Sequence, residues 1–320
     1  GNAITDILVS VDYKFLEKMK FNAGAMHLVD FDIINEILQK FKDSKVSAGG
    51  SVANTISLAS NLGDRCAFIG KRKNDEQGKM FSESMNAANI LLPNREVESG
   101  DPSSTCLVMI TPNGERTMLT YLGASKSLSQ DDVDLKLLEN TKIVYLEGYL
   151  FDLPEAKNLF NVIADKQKEY GFELALSLSD PFCVKRHKKD FLKLIEKKIK
   201  IIFSNQEEIE SLFDCSIENA LLKASDKAFI SICTQGRYGS TLCKEGKFIK
   251  SNAFKINVKD TTGAGDNFSA GFLHGYINNY SLSKCSELGN FCAAETVKVI
   301  GARPDTNIKE LLEKNKILEN

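Results

Sequence analysis

Along most of the chain, short apolar or β-branched runs alternate with longer stretches whose apolar positions recur every three or four residues. The short runs at 67–69, 143–146, 174–177, 201–204, 229–233 and 240–243 predict strands, because branched and aromatic side chains pack well on a pleated surface. The longer ones at 52–62, 78–87, 154–170, 188–196, 206–213 and 266–278 predict amphipathic helices. Strand and helix following one another in this way argue for an α/β fold, a mostly parallel sheet covered by helices on both faces. Ligands then belong at the carboxyl ends of the strands. Two segments break the rhythm. Residues 7–11 with 26–31, and 106–111 with 116–121, are β-rich; the second pair flanks the turn signal Pro112-Asn113-Gly114-Glu115 and reads as a hairpin. Both lie between α/β units, as a small β-sheet lid would. No internal repeat, low-complexity tract or linker divides the chain.

At 320 residues, with 42% hydrophobic and 26% charged residues, the chain can bury a full core as one large α/β domain or two smaller ones. Its 41 basic and 43 acidic residues leave a net charge of −2, which offers no global attraction for nucleic acid or a membrane, so any anion site must be local. The densest basic run, Lys185-Arg186-His187-Lys188-Lys189 followed by Lys193, Lys197, Lys198 and Lys200, is interleaved with Phe191, Leu192, Leu194 and Ile195 at helical spacing. It reads as the solvated face of a surface helix rather than a nucleic-acid patch. Eight cysteines, at 66, 106, 183, 215, 233, 243, 285 and 292, show no C-x-x-C and no histidine at metal-ligand spacing, so they read as buried small hydrophobes of a reducing, cytoplasmic compartment. No apolar run reaches the ~18 residues of a membrane span, and no signal peptide is visible. The chain opens at Gly1-Asn2-Ala3-Ile4 rather than at Met, from which we expect a preceding piece carrying most of a first strand.

Chemistry concentrates in Asp260-Thr261-Thr262-Gly263-Ala264-Gly265-Asp266, which sets small residues between two carboxylates just ahead of the apolar run 268–273. Gly263 and Gly265 allow a tight turn and a close backbone approach, and the free N–H groups of the helix that follows carry partial positive charge. The result is an anion cradle. Asp266 suits the helix dipole but would repel a phosphate unless a proton or metal ion intervenes, which suggests chemistry; the plainer reading is a glycine-rich turn capped by Asp266.

Four further places carry candidate groups. Ala48-Gly49-Gly50-Ser51-Val52-Ala53-Asn54-Thr55 puts two glycines before a helix, with Asn54 one turn inside as a two-way hydrogen-bonding group, an arrangement that suits a polyhydroxylated substrate. Asp6, four residues after Asn2, can accept two neighbouring hydroxyl protons, or serve as an ordinary turn residue. Asn205-Gln206-Glu207-Glu208 follows an apolar strand and opens a helix; Asn205 can serve as its N-cap with Glu208 completing a capping box, which explains these residues fully, and the functional reading is that Glu208 orders waters on Mg²⁺. Thr234-Gln235-Gly236-Arg237-Tyr238-Gly239-Ser240 follows another strand and lets backbone approach a nucleotide.

Together these pieces resemble the ribokinase-like (PfkB) family of carbohydrate and nucleoside kinases over essentially the whole chain. Gly49-Gly50-Ser51-Val52-Ala53-Asn54 resembles the family's N-terminal signature, and the stretch from Asp260 through Asp266 to Phe272 its C-terminal one, about 210 residues apart and in the right order. The resemblance implies one kinase domain over 1–320, a three-layer α/β/α sandwich with a mostly parallel central sheet and a small β-sheet lid built from about 7–48 and 104–123. It implies transfer of the ATP γ-phosphoryl group to a hydroxymethyl group. Asp266 would take the hydroxyl proton and the N–H groups of Gly263, Ala264 and Gly265 would stabilise the transferring phosphoryl. Asn2, Asp6, Gly49, Gly50, Ser51 and Asn54 would hold the acceptor, and Asn205, Thr234, Gly236 and Gly239 the nucleotide. Glu208 would act on Mg²⁺ through water. A monovalent cation, with K⁺ the candidate, would lie beside the anion cradle, held partly by backbone oxygens, a part of the pattern that Asp260 and Thr262 match, its other ligands coming from 299–304 with Gly301 among them. The resemblance also leaves open a homodimer through the lid. Asn2, Asp6 and the 49–51 loop resemble adenosine kinases, whereas Glu147 stands where sugar-specific members carry a sugar-contacting acid. Tyr149 and Phe151 could stack on a purine or fill the core. Adenosine leads as acceptor, with a free pentose or hexose next. The rivals are a non-catalytic nucleotide- or sugar-binding protein on the same fold, and a P-loop or Rossmann enzyme, for which the chain lacks the glycine pattern.

Overall fold

The computed structural model describes residues 1–320 except 25, 42, 43, 113, 114, 198, 305, 316 and 318–320. Its strands are β1 (Ile4–Ser10), β2 (Met26–Leu28), β3 (Lys45–Gly49), β4 (Ser104–Ile110), β5 (Arg116–Tyr121), β6 (Ile143–Glu147), β7 (Glu173–Ser177), β8 (Ile201–Asn205), β9 (Ile230–Thr234), β10 (Ser240–Lys244) and β11 (Lys247–Ser251). Its α-helices are α1 (Tyr13–Met19), α2 (Phe31–Leu38), α3 (Ser51–Asn61), α4 (Glu76–Ala87), α5 (Pro154–Tyr170), α6 (Pro181–Ile195), α7 (Gln206–Phe213), α8 (Ile217–Lys227), α9 (Ala264–Ile277), α10 (Leu282–Thr296) and α11 (Ile308–Lys314).

The larger sheet runs β11-β10-β9-β8-β7-β6, parallel from β6 to β9 and antiparallel at the β10–β11 edge. Successive side chains point to opposite faces, which is why the central strands β8 and β9 are buried along nearly their whole length, while the edge strand β11 carries Lys247 and Lys250. Ile201 and Phe203 of β8, with Ile230 and Ile232 of β9, pack on Phe268 and Phe272 of α9 and Cys285 of α10. Ile202 and Cys233 face the other way, among the buried residues of α5, α6, α7 and α8. Helices therefore cover both faces, giving the three-layer α/β/α sandwich.

The second sheet runs β2-β5-β4-β1-β3, with β1 between antiparallel β3 and parallel β4. Ile7 and Val9 of β1 join Leu107, Met109 and Leu119 in a small core closed by Leu16 of α1 and by Ile34 and Ile37 of α2. The alternation of β1 sends Asp6 to the opposite face. β4 and β5 pair antiparallel from Thr105–Tyr121 to Ile110–Arg116, although Asn113 and Gly114 of the expected turn lie outside the described residues.

Some expectations shift. Residues 67–69 form no strand; Ala67 makes an isolated parallel bridge to Leu91. Helix α6 starts at Pro181 rather than 188, because the Asp180 side chain accepts the Cys183 N–H at 2.8 Å and Pro181 supplies a preset first turn. Two short helices, α1 and α2, of 7 and 8 residues, add to those expected. No helix among the described residues is long and apolar enough to cross a membrane.

Candidate active site

The loop before α9 is built as its glycines require. Gly263 caps the helix at φ 74°, and a Cβ there would sit 2.7 Å from that of Ala302. Gly265 is the opposite case: a Cβ would meet nothing within 4 Å, so its backbone faces open space. The Ala264 N–H donates to the Thr261 carbonyl at 3.2 Å, and the Asn267 N–H makes the first helical bond, to Gly263 at 2.9 Å. The N–H groups of Gly265 and Asp266 thus precede the helix's own bonds. Of the three residues expected to cradle an anion, Ala264 has its N–H turned back into the loop.

Asp266 is gripped from α3. Ser51 Oγ donates to Oδ1 at 2.6 Å and Asn54 Nδ2 donates to Oδ2 at 3.0 Å. Burial pushes its carboxyl up to about 6, with Ser51, Asn54 and the Arg303 charge holding it back. At neutral pH it is mostly ionised yet basic enough to take a proton. Asp6 lies against Gly49, where a Cβ would fall 2.2 Å from Oδ2, so only glycine leaves room for the carboxylate. Burial raises Asp6 to about 7; Arg303 and Arg116 oppose the rise and Asp266 adds to it. Gly50, at φ 94°, brings the start of α3 close to the Asn2 carbonyl, 2.5 Å from where a Cβ would be.

Asn2 and Glu147 form a buried pair. The Asn2 N–H donates to Glu147 Oε2 at 2.7 Å, its Nδ2 to Oε1 at 3.4 Å, and Glu147 is 2% exposed. Burial raises the Glu147 carboxyl. Phe151 is core, stacked on Phe191 at 3.9 Å, whereas Tyr149 faces the carboxylates of Asp180, Glu208, Asp266 and Glu147, which reinforce the upward push of burial on its phenol.

On the neighbouring strand ends, Asn205 stands opposite Thr234 in the β8–β9 register. Asn205 Oδ1 accepts the Glu208 N–H at 2.9 Å, while Glu208 takes the Asn205 N–H at 2.9 Å and its Nδ2 at 2.7 Å, a full capping box. Burial, aided by Asp180 and Asp266, lifts Glu208 to about 7. Gly236 and Gly239 adopt φ 53° and 89°, turning the chain so that the Gln235 N–H meets the Gly239 carbonyl at 2.7 Å.

Asp260 is fully engaged. Its Oδ1 accepts the N–H and hydroxyl of Thr262 at 3.0 and 2.8 Å, and its Oδ2 accepts the Gly301 N–H at 2.7 Å and the guanidinium of Arg116, the first residue of β5.

The model of pfkB family carbohydrate kinases matches residues 24–309. The chain belongs to this family. Among solved structures, this pfkB-family kinase is similar to adenosine kinase from Sinorhizobium meliloti, at 33% identity and a TM-score of 0.93, over 98% of this chain and 97% of that one. It is equally similar to a probable sugar kinase from Rhizobium etli, at 33% identity and a TM-score of 0.93, over 99% and 97% of the two chains. The adenosine kinase of Dictyostelium discoideum is 25% identical over 94% of both chains. The pfkB-family chain is thus an ATP-dependent sugar or nucleoside kinase on a ribokinase-like fold.

Three residues of this pfkB-family site escaped the sequence reading. Arg303 donates from Nε to Asn54 Oδ1 at 2.9 Å and from Nη1 to Ser84 Oγ at 3.3 Å, its charge close to both Asp6 and Asp266; burial lowers it to about 10 against their pull. In the sequence its segment, 299–304, points only to cation ligands. Asp180 carries a helix-start signal, Asp-Pro, that points to a cap and not to a site. Arg116 sits in a hairpin with nothing local to link it to the glycine loop.

The donor set fits Mg²⁺ held mainly by a ligand. Among the described residues no three His, Cys, Asp or Glu are grouped to hold a metal, and Mg²⁺ ordinarily keeps several waters and takes one or two carboxylates plus phosphate oxygens. The Asp260 carboxylate does not fit as a ligand to a monovalent ion: it already accepts three hydrogen bonds and pairs with a guanidinium.

Proposed function

We propose that this kinase phosphorylates the hydroxymethyl group of a ribose-bearing nucleoside, with adenosine the leading acceptor. The observation that carries the reading is the pairing of Glu147 with Asn2. An acid standing where sugar-specific members grip a free sugar has both oxygens taken by Asn2 and is buried, so it acts by orienting Asn2. Asp6 is then the carboxylate open to the acceptor and holds two neighbouring ribose hydroxyls, with the charge of Arg303, itself bonded to Asn54, acting on it.

Asp266 accepts the proton of the attacking hydroxyl as its oxygen bonds to the γ-phosphorus; the bond to the β-phosphate bridging oxygen breaks and ADP leaves. The N–H groups of Gly265 and Asp266, at the positive end of α9, face the charge that develops, so the work is positioning and electrostatic stabilisation. Glu208 would hold Mg²⁺ through water, and the ion would supply positive charge against the transferring phosphoryl group. Thr234, Gly236, Gly239 and Asn205 line the nucleotide side. The small sheet, carrying Asp6 and Arg116, serves as the lid that excludes water as a competing acceptor.

Competition of adenosine against ribose and fructose, with ATP and Mg²⁺, tests this. Adenosine should be preferred; clear turnover of a free sugar with no adenosine phosphorylation overturns the reading. Similarity to the Rhizobium etli probable sugar kinase supports the free-sugar alternative. There, Glu147→Gln would weaken sugar binding directly, whereas the nucleoside reading expects only the smaller loss of a loosened Asn2.

A further inference from the structure

The expected monovalent cation and the structure disagree at Asp260. That carboxylate stands at the start of the loop that leads into α9, so the charge placed against it sets the electrostatics and shape of the anion cradle. Both of its oxygens are occupied: one by the N–H and hydroxyl of Thr262, the other by the Gly301 N–H and Arg116. The Arg116 and Asp260 side chains are 11% and 7% exposed, so the pair is shielded from water and salt. A guanidinium is charged at every accessible pH and directs its N–H groups at fixed angles. It therefore delivers to Asp260 the unit positive charge that a bound alkali ion would bring, without an ion to lose.

We propose that Arg116 is a built-in replacement for the monovalent cation at the anion loop, so that this kinase works without K⁺ and instead ties its loop to the lid sheet. Two observations support the second half. Arg116 opens β5, the strand paired with β4, and β4 runs beside β1, which carries Asp6. The charge of Arg116 also acts on the Asp6 carboxylate. One side chain thus faces the acid that neighbours the acceptor and the acid that holds the phosphate loop, and an alkali ion at Asp260 could not bridge to the sheet in this way. Arg116 is a positioning residue, acting through Asp260.

The proposal rests on the kinase reading but not on which acceptor is used, and its first readout needs no turnover. Thermal melting of the full chain is compared in KCl, NaCl and tetramethylammonium chloride at equal ionic strength. The wild type should melt alike in all three, and its rate with ATP, Mg²⁺ and whichever acceptor turns over should not change either. Arg116→Gln opens the place of a cation, so its melting temperature should fall in tetramethylammonium and recover in K⁺. Its rate should drop about 10- to 100-fold, as when a partner of a site ligand is removed, with K⁺ restoring most of it. Arg116→Lys, which keeps the charge, should stay indifferent to the salt. A wild type whose melting temperature or rate rises specifically with K⁺ overturns the proposal, as does an Arg116→Gln variant that folds but ignores the choice of cation. Should that variant fail to fold, the wild-type and Arg116→Lys melts still decide. Failure of the nucleoside reading would show as absent adenosine turnover, with the melting comparison untouched.

Discussion

At Asp266, one side chain shows how burial and hydrogen bonding set opposite demands. Desolvation raises its carboxyl to about 6, while Ser51 and Asn54 each hold one oxygen and keep it below the range in which it would be neutral at pH 7. Asp266→Asn keeps the shape and one acceptor, and should reduce kcat by ~10²–10⁴ with no loss of melting temperature at pH 8. Near wild-type kcat in that variant would remove Asp266 as the base. Arg303 makes a second case. Its charge lies close to Asp6 and Asp266 and lowers both, so Arg303→Gln should move the acidic limb of the kcat/KM profile to higher pH, by about one unit. A profile that loses height without moving would mean that Arg303 serves packing alone.

At the scale of elements, the start of α9 uses two glycines for different reasons. Gly263 is required by the fold: its φ of 74° and the contact with Ala302 leave no place for a Cβ. Gly263→Ala should destabilise the protein by about 1–3 kcal/mol, the usual cost of a side chain in that region, seen as a lower denaturation midpoint. Gly265 is required by what the loop faces, since a Cβ there would project into open space. Gly265→Ala should leave stability unchanged and raise KM for ATP or lower kcat. Equal effects of the two substitutions on stability and on activity would contradict the division. The capping box at Asn205–Glu208 is likewise structural in its hydrogen bonds, and its place at the end of β8, beside Thr234, would put it at the proposed nucleotide side.

Across the whole molecule, four buried carboxyls of the site are raised in the folded state: Asp6 to about 7, Glu208 to about 7, Asp266 to about 6, and Glu147 as well. A carboxyl raised on folding binds its proton more tightly folded than unfolded. Its contribution is therefore full below the ordinary carboxylate range and is lost as pH rises through 6 to 7. The unliganded wild type should lose melting temperature between pH 5.5 and 8 relative to a variant carrying Asp6→Asn, Glu208→Gln and Asp266→Asn, and the gap should widen with pH. Parallel melting curves for the two proteins across that range would show that the cleft does not hold these acids at a cost.

What the sequence by itself determined was local. Strand and helix alternation, the glycine pairs at 49–50 and 263–265, and the Asn205–Glu208 cap depend on contacts within a few residues, where backbone conformation and side-chain periodicity are written directly. The two-sided burial of β8 and β9 follows from the same alternation. Tertiary structure alone decided which charges meet. Arg303 reaches Asn54 across 249 positions, Asn2 reaches Glu147 across 145 and Arg116 reaches Asp260 across 144. No periodicity or turn chemistry encodes such partners, because an isolated arginine or glutamate has the same local appearance whether solvated or paired. The packing of two sheets onto one cleft brought them together, and desolvation there gave each charge its consequence.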